Sequence, residues 1–118
     1  MLVLEREGLK LKFVDGGLPA RGSSNIPVTV EDDGSYSGYT PKMLIGFGFN
    51  FNRKFEMKNP DEGTTNVYTL PAEFFAEGGD TCIAMMLISG DQQLVTNQCE
   101  FHILESPYRI VQLPITDV

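Results

Sequence analysis

"TCIAMMLISGDQQLVTNQCEFHIL", residues 81 to 104, sets two apolar runs on either side of Ser89-Gly90-Asp91-Gln92. Glycine at the first central position of a two-residue turn accepts the positive φ that a tight hairpin requires. The pattern predicts antiparallel strands over 81–88 and 93–104, with Leu87 facing Leu94, Met86 facing Val95 and Cys82 facing Cys99. One face of that hairpin would carry Cys82, Ala84, Met86, Ile88, Val95, Cys99, Phe101 and Ile103, the pattern of a core. The opposite face would carry Ile83, Met85, Leu87 and Leu94 alongside Thr96, Gln98, Glu100 and His102. Both faces are apolar near the turn, whereas a free-standing antiparallel sheet wets one of them. Ile83, Met85, Leu87 and Leu94 therefore need a cover: the chain's own C-terminal arm, or another subunit.

The rest of the chain repeats the strand signal. In "IGFGFNFNRKF" (45–55), Ile45, Phe47, Phe49 and Phe51 share one parity and Gly46, Gly48, Asn50 and Asn52 the other. Full burial of each phenylalanine is worth roughly 1.5–3 kcal/mol, so this row belongs in a core. The small residues behind it permit close approach of another backbone. Further strands are expected at "GLKLKFVD" (8–15), "IPVTVE" (26–31), "KFEMK" (54–58) and "TTNVYTL" (64–70). "NPDEG" (59–63) has the chemistry of a tight turn. "PAEFFAEGG" (71–79) reads as one short helical turn near residues 71–76, pinned to the core by Phe74 or Phe75. The expectation is an all-β fold of about seven strands.

The chain has 118 residues, fitting one domain. Its 12 Gly and 7 Pro favour a turn-rich β protein. Sixteen acidic residues against nine basic give a net charge of −7, which repels a phosphate backbone, so no nucleic acid is expected as a partner. The longest strongly apolar run, "CIAMMLI" (82–88), falls well short of the ~20 residues of a bilayer helix. "MLVLEREG" becomes charged at Glu5 and reads as no secretion signal, pointing to a cytoplasmic site of folding. At the other end, "SPYRIVQLPITDV" (106–118) sets an apolar extended segment between Pro107 and Pro114. Tyr108, Ile110 and Leu113 are its candidate anchors, and an arm over 107–118 is expected to dock after a sandwich spanning 1–106. Ile83, Met85, Leu87, Leu94, Tyr108, Ile110 and Leu113 together form the candidate assembly surface.

Residue chemistry points away from catalysis. His102, the sole histidine, lies between Phe101 and Ile103 in a strand pattern and reads as a structural or surface residue rather than a general base. With two cysteines and no secretion signal, the favoured state is two reduced thiols. No zinc spacing is present, and "EDDG" (31–34) and "PDEG" (60–63) read as solvated turns rather than calcium loops. No cofactor, metal or catalytic residue is expected. Glycan binding is the alternative: Tyr36, Tyr39 and Tyr68 are available as stacking surfaces, although tryptophan, the best one, is absent.

From Val67 onward, "VYTLPAEFFAEGGDTCIAMMLISGDQQLVTNQCEFHIL" combines a strand ending in Leu-Pro, a helical turn closing on glycine, and a hairpin ending in F-x-I. This combination resembles the Ig-like domains of tailed-phage virion proteins, in particular the N-terminal domain of the upper baseplate protein of phages of Gram-positive hosts. "LKLKFVDGGLPA" is similar to the opening strand and turn of those domains. The resemblance implies an Ig-like antiparallel β-sandwich. It also implies a non-enzymatic structural subunit of a baseplate, tail or head fibre, which would assemble with itself and other virion proteins in the host cytoplasm. It supplies no catalytic residues.

Overall fold

The computed structural model describes residues 2–17, 19–47, 54–76 and 79–104. Among them, nine strands and one short helix build an all-β sandwich of two sheets. The first sheet has the order β2 (Lys10–Asp15), β1 (Leu2–Glu7), β3 (Ile26–Asp32), β6 (Val67–Leu70). The second has the order β5 (Lys54–Lys58), β4 (Thr40–Phe47), β7 (Gly79–Ser89), β8 (Gln92–Val95), with β9 (Cys99–Ile103) also paired to β7. From β3 onward the chain follows the strand order B, C, C′, E, F, G of an immunoglobulin-like sandwich. β3 and β6 pair in one sheet, and β5, β4, β7 and β8/β9 lie side by side in the other. Helix α1 (Ala72–Ala76) makes the crossing from β6 to β7, and both Phe74 and Phe75 are buried.

Nine strands replace the expected seven for two local reasons. The N-terminal "LVLERE" is a strand in its own right, tied down as β1 between β2 and β3. Because β1 lies between them, two chain reversals leave β1 and β3 running parallel, whereas the other pairings among the described residues are antiparallel. The second reason lies in the final strand, which is broken between Val95 and Cys99.

That break reverses half of the expected face assignment. Gly90 has φ 57°, and the ladder next to the turn is as the sequence predicts, Leu87 against Leu94 and Met86 against Val95. Thr96 then pairs with Met85 in an unusual way. Its amide donates to the Met85 carbonyl (2.9 Å) and its hydroxyl accepts from the Met85 amide (3.0 Å). The Thr96 side chain thus stands in for a backbone carbonyl, the strand turns out of the ladder, and pairing resumes with Ile83 against Cys99. Asn97 and Gln98 together oppose Ala84, so one extra residue has entered the strand, the arrangement of a β-bulge. A one-residue slip moves side chains to the other face. Cys99, Phe101 and Ile103 face the core as expected, but on β7 it is Ile83, Met85 and Leu87 that join them, with exposures of 0, 1 and 2%. Cys82 pairs with Glu100 rather than Cys99, and the two cysteines, on opposite faces, are not joined in a disulfide.

The core between the sheets takes Leu2, Leu4, Val28, Val30, Tyr68 and Leu70 from one side and Met43, Ile45, Phe47, Ile83 and Met85 from the other. Ile45 and Phe47 are the part of the expected aromatic row that lies within the described residues. Phe49 and Phe51 lie outside them. The Phe47 ring meets Phe74 edge-on at 6.3 Å.

Asn97, expelled from the ladder, links the two sheets. Its Oδ1 accepts from the Leu11 amide (2.7 Å) and its Nδ2 donates to the Leu11 carbonyl (2.9 Å), so its carboxamide pairs with β2 as another strand would. Each such bond contributes about 1 kcal/mol net. Asn97→Ala is expected to destabilise the fold by about 2 kcal/mol, read as a lower urea midpoint at unchanged m-value. A midpoint equal to wild type would show that the link carries no stability.

Candidate functional site

Arg6 and Asp32 of the first sheet meet the loop after β3 at one end of the sandwich. Leu2, Leu4 and Arg6 share a face of β1, so the alternation that buries the leucines also turns Arg6 inward, to 5% exposure. A buried guanidinium needs partners. Arg6 Nη1 donates to the Gly8 carbonyl (2.7 Å) and the Ser35 hydroxyl (3.2 Å), and Nη2 donates to the Ser35 carbonyl (3.0 Å). Nη2 also lies 3.9 Å from the carboxylate of Asp32, its register partner on β3. The guanidinium carbon sits 6.0 Å from the centre of the Tyr36 ring.

The loop that meets Arg6 is "EDDGSYSGY" (31–39), held by its own acidic side chains. Asp32 accepts from the Gly34 amide (2.8 Å), while Asp33 accepts from the Ser35 amide (3.0 Å), the Ser35 hydroxyl (2.5 Å) and the Gly8 amide (3.1 Å). The bonds from Ser35 hold the Asp33 carboxyl below its ordinary range, with smaller contributions from Gly8 and Arg6. Tyr36 adopts φ 57°, a left-handed conformation rare for an aromatic residue, and its carbonyl accepts from the Tyr39 amide (2.9 Å). The two rings meet edge to face at 5.4 Å. The Tyr39 hydroxyl donates to the Gln92 side chain.

Between this loop and the core lies a pocket of about 300 Å³. Val30, Tyr68, Met85 and Leu87 form its apolar floor, and Tyr36, Tyr39, Ser37 and Asn66 its rim. Tyr68 is 1% exposed, its hydroxyl has no hydrogen-bond partner among the described residues, and burial pushes the phenol up to about 12. The three tyrosines named from sequence as stacking candidates therefore meet in one place, across a separation of 32 residues that no local pattern reveals. Arg6 was missed by sequence reasoning, yet its parity with Leu2 and Leu4 was the available signal.

Of the residues expected to form an assembly surface, Ile83, Met85 and Leu87 are buried within the chain. Ile83 and Met85 are packed in the intramolecular core, and Leu87 is buried in the pocket floor, because the bulge at Thr96–Gln98 turns them inward. Leu94 is half-buried. Tyr108, Ile110 and Leu113, and with them the 107–118 arm, lie outside the described residues.

The apolar surplus on β7 is present, but on the even-numbered face. Leu44, Ala84 and Met86 form a second small cluster on the outer side of the sheet, with Ile88 packed against it. The register of β4 with β5 sets Phe55 opposite Gly46 and Met57 opposite Leu44, so both join this outer face. They are 60% and 44% exposed. Val95, opposite Met86, is exposed on the other flank. His102 lies on the same outer face, exposed, with Nδ1 2.9 Å from Asp80.

Among the described residues no group of three or more His, Cys, Asp or Glu is placed to hold a metal ion. No described helix is long and apolar enough to cross a membrane. Compared with known proteins, the chain matches no family model and no curated protein.

Proposed function

We propose that the chain is a non-enzymatic structural subunit that works by protein–protein assembly. The observation that carries this reading is the outer face of the second sheet. Phe55 and Met57, exposed on edge strand β5, and Val95, exposed beside Met86, flank Leu44, Ala84 and Met86, which are themselves buried on this side of the sheet. Large apolar side chains left exposed around such a cluster fit an interaction site. The resemblance of residues 67–104 to Ig-like domains of tailed-phage virion proteins supports a phage baseplate, tail or head fibre as the assembly. Partners in this reading are further copies of the chain and other virion proteins, joined in the host cytoplasm, with neither nucleic acid nor membrane involved.

The reading predicts a mass above the 13.1 kDa of one chain in light scattering coupled to size exclusion. Met57→Asp should reduce that mass to the monomer with the thermal midpoint nearly unchanged, since the site is exposed. A wild-type chain that stays monomeric at every concentration would overturn self-assembly through this face.

A further inference from the structure

We propose that the pocket between the 31–39 loop and the core binds a single neutral, hydroxyl-rich ring, the size of one hexose unit. Its volume of about 300 Å³ sits at the lower end of the ~300–1,000 Å³ span of ligand sites, which restricts the occupant to one small ring. Two aromatic side chains line it, Tyr36 exposed and Tyr39 half-buried, in edge-to-face contact with each other. The apolar C–H faces of a sugar ring stack on such surface. At the floor, the Tyr68 hydroxyl is buried without a partner among the described residues. Buried hydroxyls are normally hydrogen-bonded, and an orphan on a residue that lines the cavity fits a ligand hydroxyl that completes it.

Charge selects among ligand classes. The Arg6 guanidinium is engaged by Gly8 and Ser35, and Asp32 lies beside it. Asp33 stands in the same loop with its carboxyl held in the charged form. A carboxylate or phosphate entering here would meet Asp32 on the lining, Asp33 in the adjoining loop, and a cation already committed. A purely apolar ligand would leave the Tyr68 hydroxyl and the Asn66 side chain on the lining unmatched. A neutral polyol satisfies both conditions. This site lies apart from the outer sheet face and does not depend on the assembly reading.

The test is an amide NMR titration of the full chain with glucose, galactose and N-acetylglucosamine as neutral probes, and glucuronate and inorganic phosphate as anionic ones. Two variants accompany it: Tyr36→Asn, which removes the ring but suits the left-handed backbone, and Tyr68→Phe, which removes one oxygen. At least one neutral sugar is expected to give saturable shifts at Tyr36, Tyr39 and Asn66, with binding about tenfold weaker in each variant. Should Tyr36→Asn disturb the loop, Tyr68→Phe still decides. The proposal is overturned if no neutral sugar saturates, if glucuronate or phosphate binds more tightly, or if Tyr68→Phe binds as well as wild type. The oligomer mass is expected to be the same with and without sugar, so failure here leaves the assembly reading standing.

Discussion

Aspartate in place of Met85 is expected to abolish the cooperative fold. Met85 is 1% exposed and lies where both sheets meet, in the cluster that includes Leu4, Val30 and Tyr68. Its removal forfeits roughly 1.5–3 kcal/mol of apolar burial. An unpaired carboxylate at that depth adds a penalty of several kcal/mol more, whether it stays charged or is protonated. Together these approach the whole stability of a small domain, about 5–15 kcal/mol. The expected observation is collapse of amide dispersion and loss of the urea transition followed by circular dichroism. A variant with a transition near that of wild type would mean that Met85 faces outward, as the uninterrupted hairpin register would have it.

Arg6→Met is expected to cost about 2–4 kcal/mol, through groups left behind rather than through lost attraction. The carbonyls of Gly8 and Ser35 each lose a donor, and the loop that they anchor to β1 loses its fixed point. The exposed Asp32 contributes little, because its partner lies 3.9 Å away at a carboxylate half open to water. Arg6→Lys should recover only a minor part of the loss, since one ammonium cannot reach both sides of the loop as the planar fork does. Urea midpoints of the three proteins provide the comparison. Equal midpoints for the lysine variant and wild type would show that charge alone suffices at this position.

The parts of this fold legible in the sequence are those decided within a few residues. The Gly90 turn, the strand at 54–58, the helical crossing at 72–76 and the alternation of Val28 and Val30 all depend on neighbours in the chain. The bulge does not. Thr96, Asn97 and Gln98 are polar on both parities, so an inserted residue leaves no gap in the hydrophobic pattern. What makes the insertion favourable is Leu11, whose backbone bonds to Asn97 across 86 residues. One unseen residue there exchanged the two faces of β7, and with them the residues proposed for assembly. The surplus itself was legible, because both parities of residues 82–88 are apolar whichever way they point. The pocket was legible only as parts: tyrosines recognisable by type, and an arginine hidden in an apolar terminus.

Methionine methyl groups test the central claim, that the outer face of the second sheet joins chains while the inner face belongs to one. Met43 and Met85 lie in the core, and Met57 and Met86 on the outer face. In a dilution series of the wild-type chain labelled at methionine methyls, the Met57 and Met86 signals should move with protein concentration while those of Met43 and Met85 stay in place. Concentration-independent signals at Met57 and Met86, or shifts confined to Met43 and Met85, would contradict the account.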